Sequence, residues 1–111
     1  MKKILVIGET CLDRFVYCHA ERLAPDLPVP VLRVIEQTEN PGMAKNVERN
    51  VRAIYRHCDL FTNKGWKEVT KTRYVHRDSN HTFIRIDTEP QIERITLRDV
   101  PLDAYDLIAI S

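Results

Sequence analysis

Glycine is scarce in this chain. Gly8, Gly42 and Gly65 are the only three, too few for a glycine-rich loop of the kind that cradles nucleotide phosphates. An excess of charge of either sign is also missing: seventeen basic side chains face sixteen acidic ones. That balance excludes the electrostatic footprint of a nucleic-acid binder, although local basic clusters can still hold anions. No stretch approaches the roughly twenty apolar residues that cross a bilayer. Cys11, Cys18 and Cys58 are odd in number and lack CxxC spacing, which argues against a disulfide framework and for a reducing compartment. Metal ligands at recognisable intervals are absent too. His76 and His81 approach each other across a tight turn, but the His and Cys spacing matches no familiar zinc pattern, so no metal site is expected. A length of 111 residues leaves room for one domain, 1–111, with a modest core.

What is present reads as an α/β chain. Met1-Lys2-Lys3 before Ile4-Leu5-Val6-Ile7 resembles a secretory leader only superficially, because the apolar run is short and meets Glu9 and Asp13 at once. The expected location is the cytoplasm. Residues 3–8 form a strand buried on both faces, whose carboxyl end delivers Glu9 to Asp13. Over 15–36, Pro25, Pro28 and Pro30 exclude a helix, while Val29, Val31, Leu32, Val34 and Ile35 favour extended structure on an edge or a separate flap. Asn40 is a good N-cap and Pro41 suits the first helical position, so the main helix is expected to start there. Val47, Val51, Ile54, Tyr55 and Cys58 then share one apolar face begun by Met43 or Ala44, and Gly42, Asn46 and Asn50 form a small polar stripe beside it. A short strand over 59–62 and a turn at Asn63-Lys64-Gly65 follow. Residues 69–77 and 82–88 read as a hairpin turning at Asp78-Ser79-Asn80, with Arg85 and Asp87 on one side. The chain closes over 105–111 with another buried-strand pattern.

Two blocks carry chemistry: Gly8 to Arg14 after the first strand, and Asn40 to Val47 at the helix start. They bring a carboxylate and a carboxamide to the ends of a strand and a helix, where an open α/β sheet holds a polyhydroxylated ligand. Asp13 can accept hydrogen bonds from two neighbouring hydroxyls, or be a solvated loop residue, or pair with Arg14. Gly42 lets a ligand approach free helix N–H groups, or serves tight packing; Asn46 offers both donor and acceptor, or simply faces water. Lys71, Arg73 and Arg85 on the flap strands suit a phosphate carried by the substrate, and equally suit a role as solvated charges that discourage strand aggregation. Glu9 and Asp87 are ligands or salt-bridge partners. Cys11 and Cys18 read as buried fillers, and Trp66, Tyr74 and Phe83 as flap packing.

These blocks resemble the ribokinase-like carbohydrate kinases, also called PfkB kinases, and within them the heptose-phosphate kinase group. The family's strand-Gly-Asp-x-x-Leu-Asp-Arg-Tyr is matched by Gly8-Glu9-Thr10-Cys11-Leu12-Asp13-Arg14-Phe15. Glu21-Arg22-Leu23-Ala24-Pro25-Asp26-Leu27-Pro28-Val29-Pro30-Val31 is similar to its Glu-Arg-Ile-Ser-Pro-Glu-Ala-Pro-Val-Pro-Val, and Pro41-Gly42-Met43-Ala44-Lys45-Asn46-Val47 to its Pro-Gly-Gly-Ala-Ala-Asn-Val. Thr70-Lys71-Thr72-Arg73-Tyr74 and Arg85-Ile86-Asp87-Thr88-Glu89 resemble the strands that cover the sugar. The resemblance implies a partial ribokinase-like (Rossmann-like) sheet with one main helix and a protruding β flap, the flap strands lying at about 15–36 and 69–88. It implies substrate binding by Asp13, Gly42, Asn46, Lys71, Arg73 and Arg85, and a homodimer clasped through the flap.

Departures matter as much. Met43 stands where the family has a second glycine, Glu9 where it has aspartate, and Lys45 where a small residue is usual. After Leu60-Phe61-Thr62 the family continues through a further helix and strand, whereas here a short link remains. The chain stops before the family's Asp-Tyr-x-Lys-Gly and Gly-Ala-Gly-Asp blocks, which carry the general base and the anion hole. ATP and Mg belong to the full-length family, and neither cofactor is expected to bind this chain alone. The expectation is the substrate-binding portion of a sugar-phosphate kinase, without catalytic residues of its own. The alternatives are a non-catalytic sugar-binding or dimerisation module derived from that fold, and an unrelated small α/β domain.

Overall fold

The apolar run near the start forms the middle strand of a small parallel sheet. In the computed structural model, which describes residues 2–91 and 93–111, β1 (Ile4–Ile7) lies between β4 (Cys58–Phe61) and β7 (Leu107–Ile110), parallel to both. A central strand buries both of its faces. Leu5 and Ile7 pack with Val100, Phe61, Ile95 and Tyr105, while Val6 packs with Ala44, Cys58, Val47 and Val51. The second group comes largely from α1 (Ala44–Ile54), which covers that side of the sheet. No helix among the described residues is long and apolar enough to cross a membrane.

Between β1 and α1 the chain makes a long excursion. β2 (Thr10–Leu23) runs outward and β3 (Pro30–Met43) returns antiparallel to it. A second excursion, β5 (Thr70–His76) and β6 (Thr82–Thr88), lies alongside, so the flap sheet has the order β3-β2-β5-β6. β5 runs parallel to β2, and β6 is antiparallel to β5. Prolines fall where a strand tolerates them: Pro30 begins β3, and Pro41 lies within it on a strand with a neighbour on one side only. The expected flap and its hairpin are therefore present, and Asn80 carries a positive φ of 58° in the hairpin turn.

Several expectations are corrected. Residues 40–43 continue β3, where Asn40, Pro41, Gly42 and Met43 pair with Asp13, Leu12, Cys11 and Thr10; the helix begins at Ala44. Backbone pairing along a whole strand outweighs a local cap preference worth about 1 kcal/mol. Gly42 is thus a strand residue and not the head of a helical stripe with Asn46 and Asn50. Asp13 lies inside β2 and not in a loop. Ile54 is 91% exposed at the last helical position, and the buried side carries Glu48 instead. β7 is an edge strand with Leu107, Ile108 and Ile110 exposed, although its composition reads as a buried one.

Candidate functional site

The base of the flap is tied to the core by polar side chains. The Lys45 amide donates to Thr10 Oγ1 (3.2 Å), which lies 2.7 Å from Thr62 Oγ1, and the Thr62 hydroxyl donates to the Gly8 carbonyl at 2.6 Å. The Thr10 amide donates to buried Asn63 Oδ1 at 2.7 Å. These bonds fix the corner where β1 gives way to β2. Sequence reasoning missed Thr10 and Asn63, because Thr after a strand and Asn before Lys-Gly read only as turn chemistry. The network also corrects the reading that a ligand reaches free N–H groups at the helix start: the Ala44 and Lys45 amides are already bonded to the Glu9 carbonyl and to Thr10.

Above that corner, strand register places most of the expected site residues on one face of the flap. Asp13 is opposite Asn40 on one side and Lys71 on the other, and Lys71 is opposite Asp87. The next row holds Phe15, Arg73 and Arg85. Arg73 Nη1 stands 3.8 Å from Asp13 Oδ1, and its guanidinium lies 5.5 Å from the centre of the Phe15 ring. Gly42, the register partner of Cys11, lies diagonally beside Asp13 and meets its side chain. A Cβ there would collide with Asp13 Oδ2 and come within 2.9 Å of Asp13 Cγ and 3.0 Å of Cys11 Sγ. Glycine at 42 therefore makes room for the acid, where the sequence pattern suggested that it admits a ligand to the helix.

The remaining charges differ in availability. Arg85 is closed in a fork on Asp87, Nε and Nη2 donating to the two carboxylate oxygens at 2.8 and 2.7 Å. Those hydrogen bonds hold the Asp87 carboxyl below its usual range and the Arg85 guanidinium above its own. Asp87 is thus a salt-bridge partner. Among the described residues, Lys71 Nζ reaches only Met43 Sδ, at 3.8 Å. Lys71 and Arg73 sit on the inner strand β5, so they are not edge charges; β6, with Arg85, is the edge. Asn46 is exposed in the first turn of α1 and makes no hydrogen bond to the others among the described residues. Lys71 also lines a cavity of about 150 Å³ with Glu9, Thr10, Met43, Val69, Glu89 and Pro90. All three cysteines are buried and free, as fillers should be. Burial pushes the Cys11 thiol up, and the Asp13 carboxylate adds to it, which disfavours the thiolate form.

No family model matches the chain. It is similar to the bifunctional protein HldE of Hyphomonas neptunium, 45% identical across 79% of this chain and 23% of that protein. It is also similar to the D-beta-D-heptose 7-phosphate kinase of Bordetella bronchiseptica, 39% identical across 78% of this chain and 28% of that protein. The chain spans about a quarter of the length of these curated relatives. The Hyphomonas alignment runs over 115 residues, more than the 111 of this chain, so that relative carries residues that have no counterpart here. Among solved structures, a carbohydrate kinase from Agrobacterium tumefaciens shares the fold over 79% of this chain and 36% of its own, with a TM-score of 0.51 and 22% identity. In sequence the chain is similar to the heptose 7-phosphate kinases over most of its length, and in fold it is similar to the ribokinase-like carbohydrate kinases.

Proposed function

We propose that residues 1–111 form the substrate-binding part of a sugar-phosphate kinase of the heptose 7-phosphate kinase type, working in the cytoplasm and clasped to a second copy through the flap. The observation that carries this reading is the Asp13 carboxylate seated against Gly42, with Arg73 at 3.8 Å and Lys71 in register beside it. In the proposed complex Asp13 accepts hydrogen bonds from two adjacent hydroxyls, and Arg73 and Lys71 turn to the substrate's phosphate. Arg85 joins them only by leaving Asp87, which makes it the weakest of the three cations for this role. Asn46 would approach from the helix side, as the ligand's partner and not as Asp13's.

Kinases of this family generally use ATP and Mg. The described residues do not fit either. Gly8 backs onto the Ser111 carbonyl and Ala44, Gly42 is filled by Asp13, and the first two helical amides are bonded internally. Asp13 and Asp87 are both held by arginine. Phosphoryl transfer by this chain alone is therefore not expected.

Calorimetry with heptose 7-phosphate and with the unphosphorylated heptose tests the reading. Removing a charged hydrogen-bond partner costs about 1.5–3 kcal/mol, so Asp13→Ala should weaken binding by roughly ten- to a hundredfold. Arg73→Ala should erase the preference for the phosphorylated sugar. Equal affinity of the wild type and Asp13→Ala across a panel of sugar phosphates would remove the site.

A further inference from the structure

The outer end of the flap gathers a donor set that the sequence spacing hides. His19 near the end of β2, His76 at the end of β5 and Asp78 in the hairpin turn each offer one ligand atom, and the three atoms lie within 4.8 Å of one another. His19 Nδ1 stands 3.8 Å from Asp78 Oδ2. The His19 and His76 rings are 6.1 Å apart between centroids. His19 is 57 residues from His76 in the chain, so only the parallel pairing of β2 with β5, which places Cys18 opposite His76, brings them together.

We propose that His19, His76 and Asp78 bind a divalent transition-metal ion of the zinc type, and that the ion staples the end of β2 to the hairpin turn. Two imidazoles and a carboxylate are the donors that zinc takes in three-residue sites with one open position. Ligand bonds of about 2.0–2.2 Å set tetrahedral donors roughly 3.3–3.5 Å apart, so the cluster must close by about 1 Å. Asp78 supplies that movement, because its side chain is 72% exposed in a turn. The imidazoles are steadier. Ser79 Oγ lies 3.0 Å from His76 Nδ1, the kind of outer contact that orients a ligating ring while its other nitrogen binds, and the His76 ring also meets Phe83 edge-on. The backbone beneath is pinned by the His76 amide donating to the His81 carbonyl and the Arg77 amide to the Cys18 carbonyl. The neighbouring cation is drawn off: Arg77 Nη2 pairs with Glu36 Oε1 at 3.6 Å. This site lies six residues along β2 from Asp13, on the order of 20 Å, and is independent of the sugar-kinase reading.

The test is a zinc titration of the metal-stripped chain by calorimetry, paired with thermal unfolding with and without zinc. The wild type should take up one equivalent saturably and unfold at a higher temperature with zinc present. His19→Ala and Asp78→Asn should each weaken uptake at least about tenfold and lose the thermal gain, whereas His57→Ala, remote from the cluster, should behave as the wild type. The buried thiols of Cys11, Cys18 and Cys58 do not compete while the chain is folded. Asp78→Asn alters an exposed turn and keeps the test decisive if His19→Ala misfolds. Absence of saturable zinc uptake by the wild type, or undiminished uptake by a folded variant of either kind, overturns the assignment.

Discussion

Met43 holds φ 60° and ψ −127°, the pair of angles that mirror-image turns reserve for glycine. A side chain there strains the backbone by about 1–3 kcal/mol, while the extra unfolded-state freedom of a glycine costs about 0.5–1 kcal/mol. Strain outweighs that freedom, and Met43 is only half covered. Met43→Gly should therefore raise stability by about 1 kcal/mol, read from the midpoint of urea unfolding; a fall would show that the Met43 contact with Lys71 matters more. Asp13, Gly42, Lys71 and Arg73 were legible singly, as motif members. Their mutual fit was not, because it depends on which residues of β2, β3 and β5 stand opposite one another. Asn46 reads as well as Asp13 in the sequence, yet it stands on a different element with no bond to the rest. Residue type suggested the chemistry, and register decided the company.

Elements with one dominant signal were legible from sequence. β1 is an unbroken apolar run, and the β5–β6 hairpin is bounded by Asp-Ser-Asn. Errors arose where a local signal competed with pairing partners far along the chain. Asn40-Pro41 has the chemistry of a helix start, but an antiparallel neighbour in β2 claims it for β3. β7 has the composition of a buried strand, and its exposure depends on what lies beside it. The polar corner joining β1, β4 and α1 is the clearest long-range feature. Asn63 is 3% exposed and both its amide groups are used, Oδ1 by the Thr10 amide and Nδ2 toward the Thr10 carbonyl. Asn63→Ala would leave a buried amide unsatisfied and should cost about 1–3 kcal/mol in chemical denaturation, against little change for Lys64→Ala in the exposed turn beside it.

As a whole the molecule is long and thin, 62 × 31 × 16 Å, with a radius of gyration of 18.7 Å against about 13–14 Å for a compact chain of this length. Its accessible surface is 8102 Å², where a compact protein of this mass exposes about 6,300 Å². Ile84 and Ile86 contribute to the difference on the flap face opposite Arg85 and Asp87. The proposed pairing through the flap covers such residues. Sedimentation should find a dimer at micromolar concentration, and Ile84→Lys with Ile86→Lys should return it to monomer; a wild-type monomer across that range would end the dimer proposal. The first excursion of the flap leaves and rejoins the core at Thr10 and Met43, which face each other as cross-strand partners, so the doorway is one residue pair wide. Lineages can therefore lengthen, shorten or exchange everything beyond that doorway without disturbing how β1 and α1 meet, and changes in length and sequence should accumulate there first.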